Sequence, residues 1–269
     1  MSTLKESSYQ LDPEALRSCS STRDAHEELS TRFYDSVYLL DHHKRDGRGH
    51  RVTKQDVETA ASGLLKFDEV AGPSFDYALS LEGVAEFERD HGNKEKAINL
   101  FEKGAGVYKS CYEFQKSASA SLDAALVCEE AKQTQKADRF FQEALKTAEL
   151  DHITTPAANK LFIDGVKMQY GKALIKRDDL VGAEKYLSEN TIENILHPPK
   201  PSTAKKEWLI GKGIWKTEPE LVTHSLRNVL CPLDDYFATP QTLKERERRQ
   251  AEHKKAEKQQ LLDVLDTLK

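Results

Sequence analysis

Only four cysteines occur in this chain of 269 residues, at positions 19, 111, 128 and 231. None forms a Cys-x-x-Cys pair, which excludes a zinc knuckle and a dithiol redox motif. So scattered a set fits a reducing compartment, with the thiols acting as small buried hydrophobes. Glycine and proline are also scarce, at 13 and 9, which is low for an all-β protein full of turns. No run approaches the roughly 18 apolar residues of a membrane span. The opening MSTLKESSYQLDPEALRS lacks the apolar stretch of a signal peptide. The net charge of -5 is mild and argues against a dedicated nucleic-acid binder. Gly-x-Ser-x-Gly is absent, so a nucleophile-elbow hydrolase is unsupported. Gly104 to Ser110 superficially has the look of a phosphate loop, but Tyr108 rather than glycine precedes Lys109-Ser110, and no strand leads into it. His42, His43 and His50 share a loop with Asp41 and Asp46, yet adjacent histidines point different ways, so a solvated loop is the better reading than a metal site. These absences predict a cytoplasmic protein, at most peripheral to membranes, with no catalytic residues, cofactor or metal.

What the chain does have is 38% apolar and 32% charged residues, a balance that suits amphipathic helices with wide solvated faces. Apolar residues recur at spacings of three and four from Leu29 through Phe33, Val37 and Leu40, predicting a helix over about 24–42. Thr53 with Asp56 reads as the start signal of a helix to about 68. Ala71-Gly72-Pro73-Ser74 is a stop and restart. Further helices are predicted at about 75–90, 94–109, 112–132, 134–149, 156–176 and 179–188, the fifth entered through Thr155-Pro156. A stiff His197-Pro198-Pro199-Lys200-Pro201 connector leads to two more, about 203–215 and 218–229, the latter behind a Thr217/Glu220 capping box. A charged helix over about 241–268 ends the chain. The predicted organisation is a flexible tail at 1–21 with one turn at Pro13–Leu16, a helical array at 22–240 and the C-terminal helix at 241–269.

An internal repeat sets the fold. Ala97, Ala137 and Ala183 align at separations of 40 and 46 residues. Twelve residues before each stands a small residue (Ala85, Ala125, Gly171), and four after each a large apolar one (Phe101, Phe141, Leu187). Seven after stand Gly104, Ala144 and the departure Asn190. Two helices pack closely only where small residues sit at the crossing, and a bulky residue must fill the gap one turn on. Each hairpin leaves an apolar face that the next must cover. The expectation is an all-α, TPR-like right-handed α-solenoid of long antiparallel hairpins with a charged C-terminal helix.

The first unit resembles the tetratricopeptide repeat, with Ala85, Gly92, Ala97, Ile98 and Phe101 in the order of its signature, although Glu88 stands where that motif prefers tyrosine and the period exceeds 34 residues. The longer helices resemble the SNAP family, the soluble NSF attachment proteins of vesicle fusion. The likeness is strongest at Lys172–Leu187, the proline-rich gap and Trp208–Phe237 with its LCPLDDYF ending, and Leu268 is penultimate, as a leucine is in SNAP proteins. The resemblance implies an adaptor in vesicle trafficking and SNARE complex disassembly, coupling a SNARE helical bundle to its ATPase without bond chemistry of its own. The forty-kilodalton huntingtin-associated protein looks like the same fold and implies instead a structural subunit packed against a large scaffold protein.

Two sets of binding residues follow. Lys205, Lys206 and Lys212 belong to a basic stretch beside Trp208 and Trp215; they are either the wet face of a packed helix or a patch for an acidic bundle. Leu261, Val264, Leu265 and Leu268 form an apolar stripe that either caps the array or docks a partner through Leu265 and Leu268. A clamp for a peptide carboxylate would place Lys and Asn on the first helix of each hairpin. Glu82, Glu86, Asp123 and Gln169 stand there instead, an acidic lining that would repel it.

Overall fold

The computed structural model describes residues 9–44, 46, 51–196 and 240–268, and among these it is helical, with no strand. The helices are α1 (Pro13–Leu16), α2 (Thr22–Asp41), α3 (Lys54–Ala71), α4 (Phe75–Asp90), α5 (Lys94–Ser110), α6 (Phe114–Glu130), α7 (Thr134–Ala148), α8 (Pro156–Lys176), α9 (Leu180–Ala183), α10 (Glu189–Leu196) and α11 (Pro240–Thr267). No helix among the described residues is long and apolar enough to cross a membrane. Residues 1–188 with 256–269 form one compact unit, and residues 189–255 form another.

Local signals place the helix ends. Thr53 Oγ1 accepts the Asp56 amide while the Asp56 carboxylate accepts the Thr53 amide, a complete capping box. Ser74 Oγ accepts the Tyr77 amide at 3.0 Å, just after Gly72 turns the chain at φ 100°. Thr155 caps α8 ahead of Pro156.

One turn recurs. α4, α5, α6 and α8 each end in a residue of positive φ (Gly92, 86°; Tyr112, 62°; Lys132, 60°; Asp178, 63°). In each, the amide of the next residue bonds back five residues, as Asn93 to Glu88, Glu113 to Tyr108, Gln133 to Cys128 and Asp179 to Leu174. This is the Schellman closure of a helix C-terminus. Glycine fills the left-handed position once; the other three carry side chains there, at a cost of about 1 kcal/mol each.

In the first unit successive helices pack along their lengths, and α2 also meets α4, as α6 meets α8. Surface ion pairs link α3 to α5 (Glu69–Lys103, 2.9 Å) and α5 to α7 (Glu102–Arg139, 2.8 Å; Glu95–Lys136, 3.2 Å). Exposed pairs of this kind contribute at most about 1 kcal/mol each. Burial does more. Ala85, Ala97, Ala125, Ala137, Ala144 and Ala183 are all fully buried, as are Phe101 and Phe141. A Cβ at Gly171 would collide with the Leu187 side chain, so the small-against-large pairing also holds in the third hairpin. Arg177 closes α8 onto that hairpin's predecessor, binding Glu129 at the end of α6 and Asp138 of α7 at 2.7 Å.

Two expectations need correction. The helix predicted over 179–188 is only α9, with a turn after it; Gly182 weakens its first turn, and Leu187 folds inward onto Gly171. Part of the expected flexible tail is packed: Tyr9 and Leu16 are buried beside Phe33, Leu64 and Phe67. The apolar stripe of α11 lies in that same core, the capping arrangement of the two alternatives read from the sequence. The helices predicted at 203–215 and 218–229 lie outside the described residues.

Candidate interaction surface

Three carboxylates come together. Glu82 and Glu86 lie one turn apart on α4, and Asp123 lies on α6, which is reached through the closely packed α5. Tyr108 of α5 is fully buried and donates its hydroxyl to Glu82 Oε2 at 2.7 Å. Burial, then the Glu82 hydrogen bond and charge, raise the tyrosine's pKa, so it stays a neutral donor. From α2, Tyr34 reaches across to α4, where the missing Cβ of Gly83 makes room for its hydroxyl.

Asp123 is mostly shielded from solvent, and among the described residues it has no hydrogen bond or ion pair. Burial, reinforced by the charges of Glu82 and Glu86 and opposed by Arg89, pushes its pKa up to about 6. Glu86 is raised for the same first reason, with Glu82 adding to it. The nearest cation, Arg89, is already held by Asp90 at 2.8 Å. The patch is therefore a concentration of negative charge, short of cations. Tyr34, seated on Gly83 of α4, is 48% exposed beside it, and an amphipathic ring of this kind suits a protein interface. Phe75 and Leu79 extend the exposed apolar surface along α4.

Glu82, Glu86 and Asp123 were visible in the sequence through their place in the repeat; Tyr34 and Gly83 were not, because their encounter joins α2 to α4 across the loop and α3. Gln169 is exposed on α8. Lys205, Lys206 and Lys212 lie outside the described residues. Leu265 and Leu268, expected to have some exposure at the chain's end, are instead 0% and 6% exposed. They pack among Leu16, Leu29, Phe33 and Val57, and the helix is pinned there by Lys258 Nζ, which donates to the carbonyls of Arg17 (2.6 Å) and Cys19, and by Arg17 on Asp266. Of the histidine loop, His42 Nδ1 lies 2.9 Å from the Tyr38 carbonyl and His43 sits at positive φ. Cys128 is buried and its thiol is pushed up to about 11 by that burial, so it is an unreactive filler.

No protein-family model, no curated protein and no solved structure matches this chain.

Proposed function

We propose that this protein is a non-enzymatic, protein-binding adaptor built on a TPR-like right-handed α-solenoid. Support for the architecture is the recurring turn, the contacts of α2 with α4 and of α6 with α8, and the buried small-against-large positions. The observation that carries the function is the acidic face over α2, α4 and α6, where Tyr34 is exposed and the shielded Asp123 is opposed only by Arg89, already paired with Asp90. A basic segment of a partner supplies a further cation, and the exposed ring adds contact area. The test is fluorescence anisotropy with a labelled lysine-rich amphipathic peptide. Binding should saturate, weaken at high salt, and fall at least about tenfold in Glu86→Lys/Asp123→Lys. Equal affinity for parent and variant refutes the reading.

The finer reading is a SNAP-type adaptor in vesicle trafficking, with Lys205, Lys206 and Lys212 against the SNARE bundle and the C-terminal helix toward the ATPase. It rests on the resemblance of the C-terminal half. With Leu265 and Leu268 inside the core, the ATPase on this reading meets the exposed face of α11, including Lys254 and Lys255. Stimulation of the ATPase by the parent, lost in Lys205→Glu/Lys206→Glu/Lys212→Glu, would support it, and no stimulation at all would remove it. The rival, a structural subunit held by a large scaffold, is favoured by Leu150, Ile153, Leu161 and Val181, which are 42%, 80%, 73% and 72% exposed. On that reading the isolated chain self-associates in sedimentation velocity and becomes monodisperse only in complex.

A further inference from the structure

The acidic face is uneven in how its carboxylates are satisfied. Glu82 on α4 has a donor, the buried Tyr108 hydroxyl of α5 at 2.7 Å. Asp123 on α6 has neither a hydrogen bond nor an ion pair among the described residues. It is mostly shielded from solvent, yet neither of its oxygens is sealed off, so a ligand can reach it.

The charges acting on Asp123 come from α4. Glu82 and Glu86 oppose its ionisation, and Arg89, itself held by Asp90, favours it. The other helices packed on α6, which are α5, α7 and α8, add none among the described residues. Tyr108 of α5 and Tyr34 of α2 face the glutamates, and burial raises both, so each stays neutral near pH 7. Shielding and two like charges both favour the protonated acid. Asp123 therefore loses its proton at about pH 6, where an exposed carboxyl does so at about 4.

A cation arriving from a partner reverses that balance. Set against Asp123, a lysine ammonium favours the ionised form, and the proton leaves to solvent. Binding and deprotonation become one linked equilibrium. Lysine itself stays charged throughout this range, so the face and not the ligand carries the change in affinity.

We infer that the acidic face over α2, α4 and α6 is a proton-linked docking site, which takes up a lysine-rich segment of a partner near neutral pH with loss of a proton from Asp123 and releases it in a mildly acidic medium. The inference rests on the adaptor reading above and adds its regulation. Linkage sets the size of the effect. With the bound cation returning Asp123 to the ordinary carboxylate range, affinity falls about tenfold from pH 7.5 to pH 5, and binding at pH 6 releases about half a proton.

The test is isothermal titration calorimetry of the full chain with an acetylated, amidated peptide of lysine, leucine and alanine, which has no group titrating between about pH 5 and 8. Titrations at pH 5, 6 and 7.5 give the affinity. At pH 6, phosphate and bis-tris buffers, which differ in heat of ionisation, give the protons released. Circular dichroism at each pH verifies that the chain is folded. The parent should show the tenfold loss and the fractional proton. Asp123→Asn, neutral at every pH, should bind at pH 7.5 about as weakly as the parent does at pH 5, vary no more than about twofold with pH, and release no proton. His26 on α2, 2.8 Å from Asp68, also changes charge over this interval, and the variant separates the two. A pH dependence that persists in Asp123→Asn belongs to another group such as His26 and overturns the inference. Constant parent affinity from pH 5 to 7.5, or binding without proton release at pH 6, overturns it as well and leaves the adaptor reading standing. No binding at any pH removes the inference and that reading together.

Discussion

Shortening Leu265 to alanine should unfold the protein more readily, and this separates a cap from a docking element. Leu265 is fully buried, packed with residues of α1, α2 and α3. Its side chain contributes about 2 kcal/mol by removal of apolar area from water. Alanine keeps little of that and leaves a cavity, so the expected loss is about 2–5 kcal/mol. Its neighbours Lys258 and Arg17 tie the same helix to α1 through fixed hydrogen bonds, which limits how far the site can collapse and favours the upper half of that range. In a chain of this size each kcal/mol shifts Tm by about 2–4 °C, so a fall of roughly 7–20 °C is expected by circular dichroism at 222 nm. Leu268→Ala, at 6% exposed, should behave similarly, and the double variant should fall short of the sum because the two sites share neighbours. An unchanged Tm with lost partner binding would refute the packing argument and return the stripe to a docking role.

Ala137→Trp places a large ring at a fully buried helix crossing and should cost about 3 kcal/mol or more, whereas Lys255→Ala, on an exposed position, should stay within about 0.5 kcal/mol; equal melting temperatures would refute the repeat register. Lys132→Gly relieves a side chain at φ 60° and should stabilise by up to about 1 kcal/mol, while Gly92→Ala at φ 86° should cost a similar amount; chemical denaturation compares the two. Asp123 has its folded pKa raised to about 6, so its stabilising contribution exists at low pH and is lost as pH rises through about 6. Asp123→Asn should therefore gain about 1–2 kcal/mol at pH 7.5 and little at pH 4, and a gain independent of pH would contradict the assignment. His26 faces the buried Asp68 at 2.8 Å; burial opposes its charge, but the Asp68 hydrogen bond and charge prevail and raise its pKa. The pair's stabilisation is full below about 6.5 and declines as pH rises through the folded value, so a proton titration of the His26 ring at or below 6.5 would contradict it.

The helices were legible where two independent signals agreed. Thr53, Ser74 and Thr155 announced helix starts through side chains whose oxygens have one nearby use, and the apolar spacing between them ran at the helical period. The repeat register was legible because close packing permits so little variation at Ala85, Ala97, Ala125 and Ala137. It faltered at Asn190, where a small residue was expected, and there the structure departs too: α9 stops and α10 begins in the second unit. In residues 9–16 the turn at Pro13–Leu16 was legible, behind Asp12, whose carboxylate takes the Glu14 amide, but its burial was not, because a four-residue helix shows no apolar period. The acidic face divides in the same way. Glu82, Glu86 and Asp123 lie on the first helices of successive hairpins, α4 and α6, so an acidic lining could be expected from the sequence. Tyr34 comes from outside those hairpins, and its seat on Gly83 depends on how α2 meets α4, which no local pattern carries.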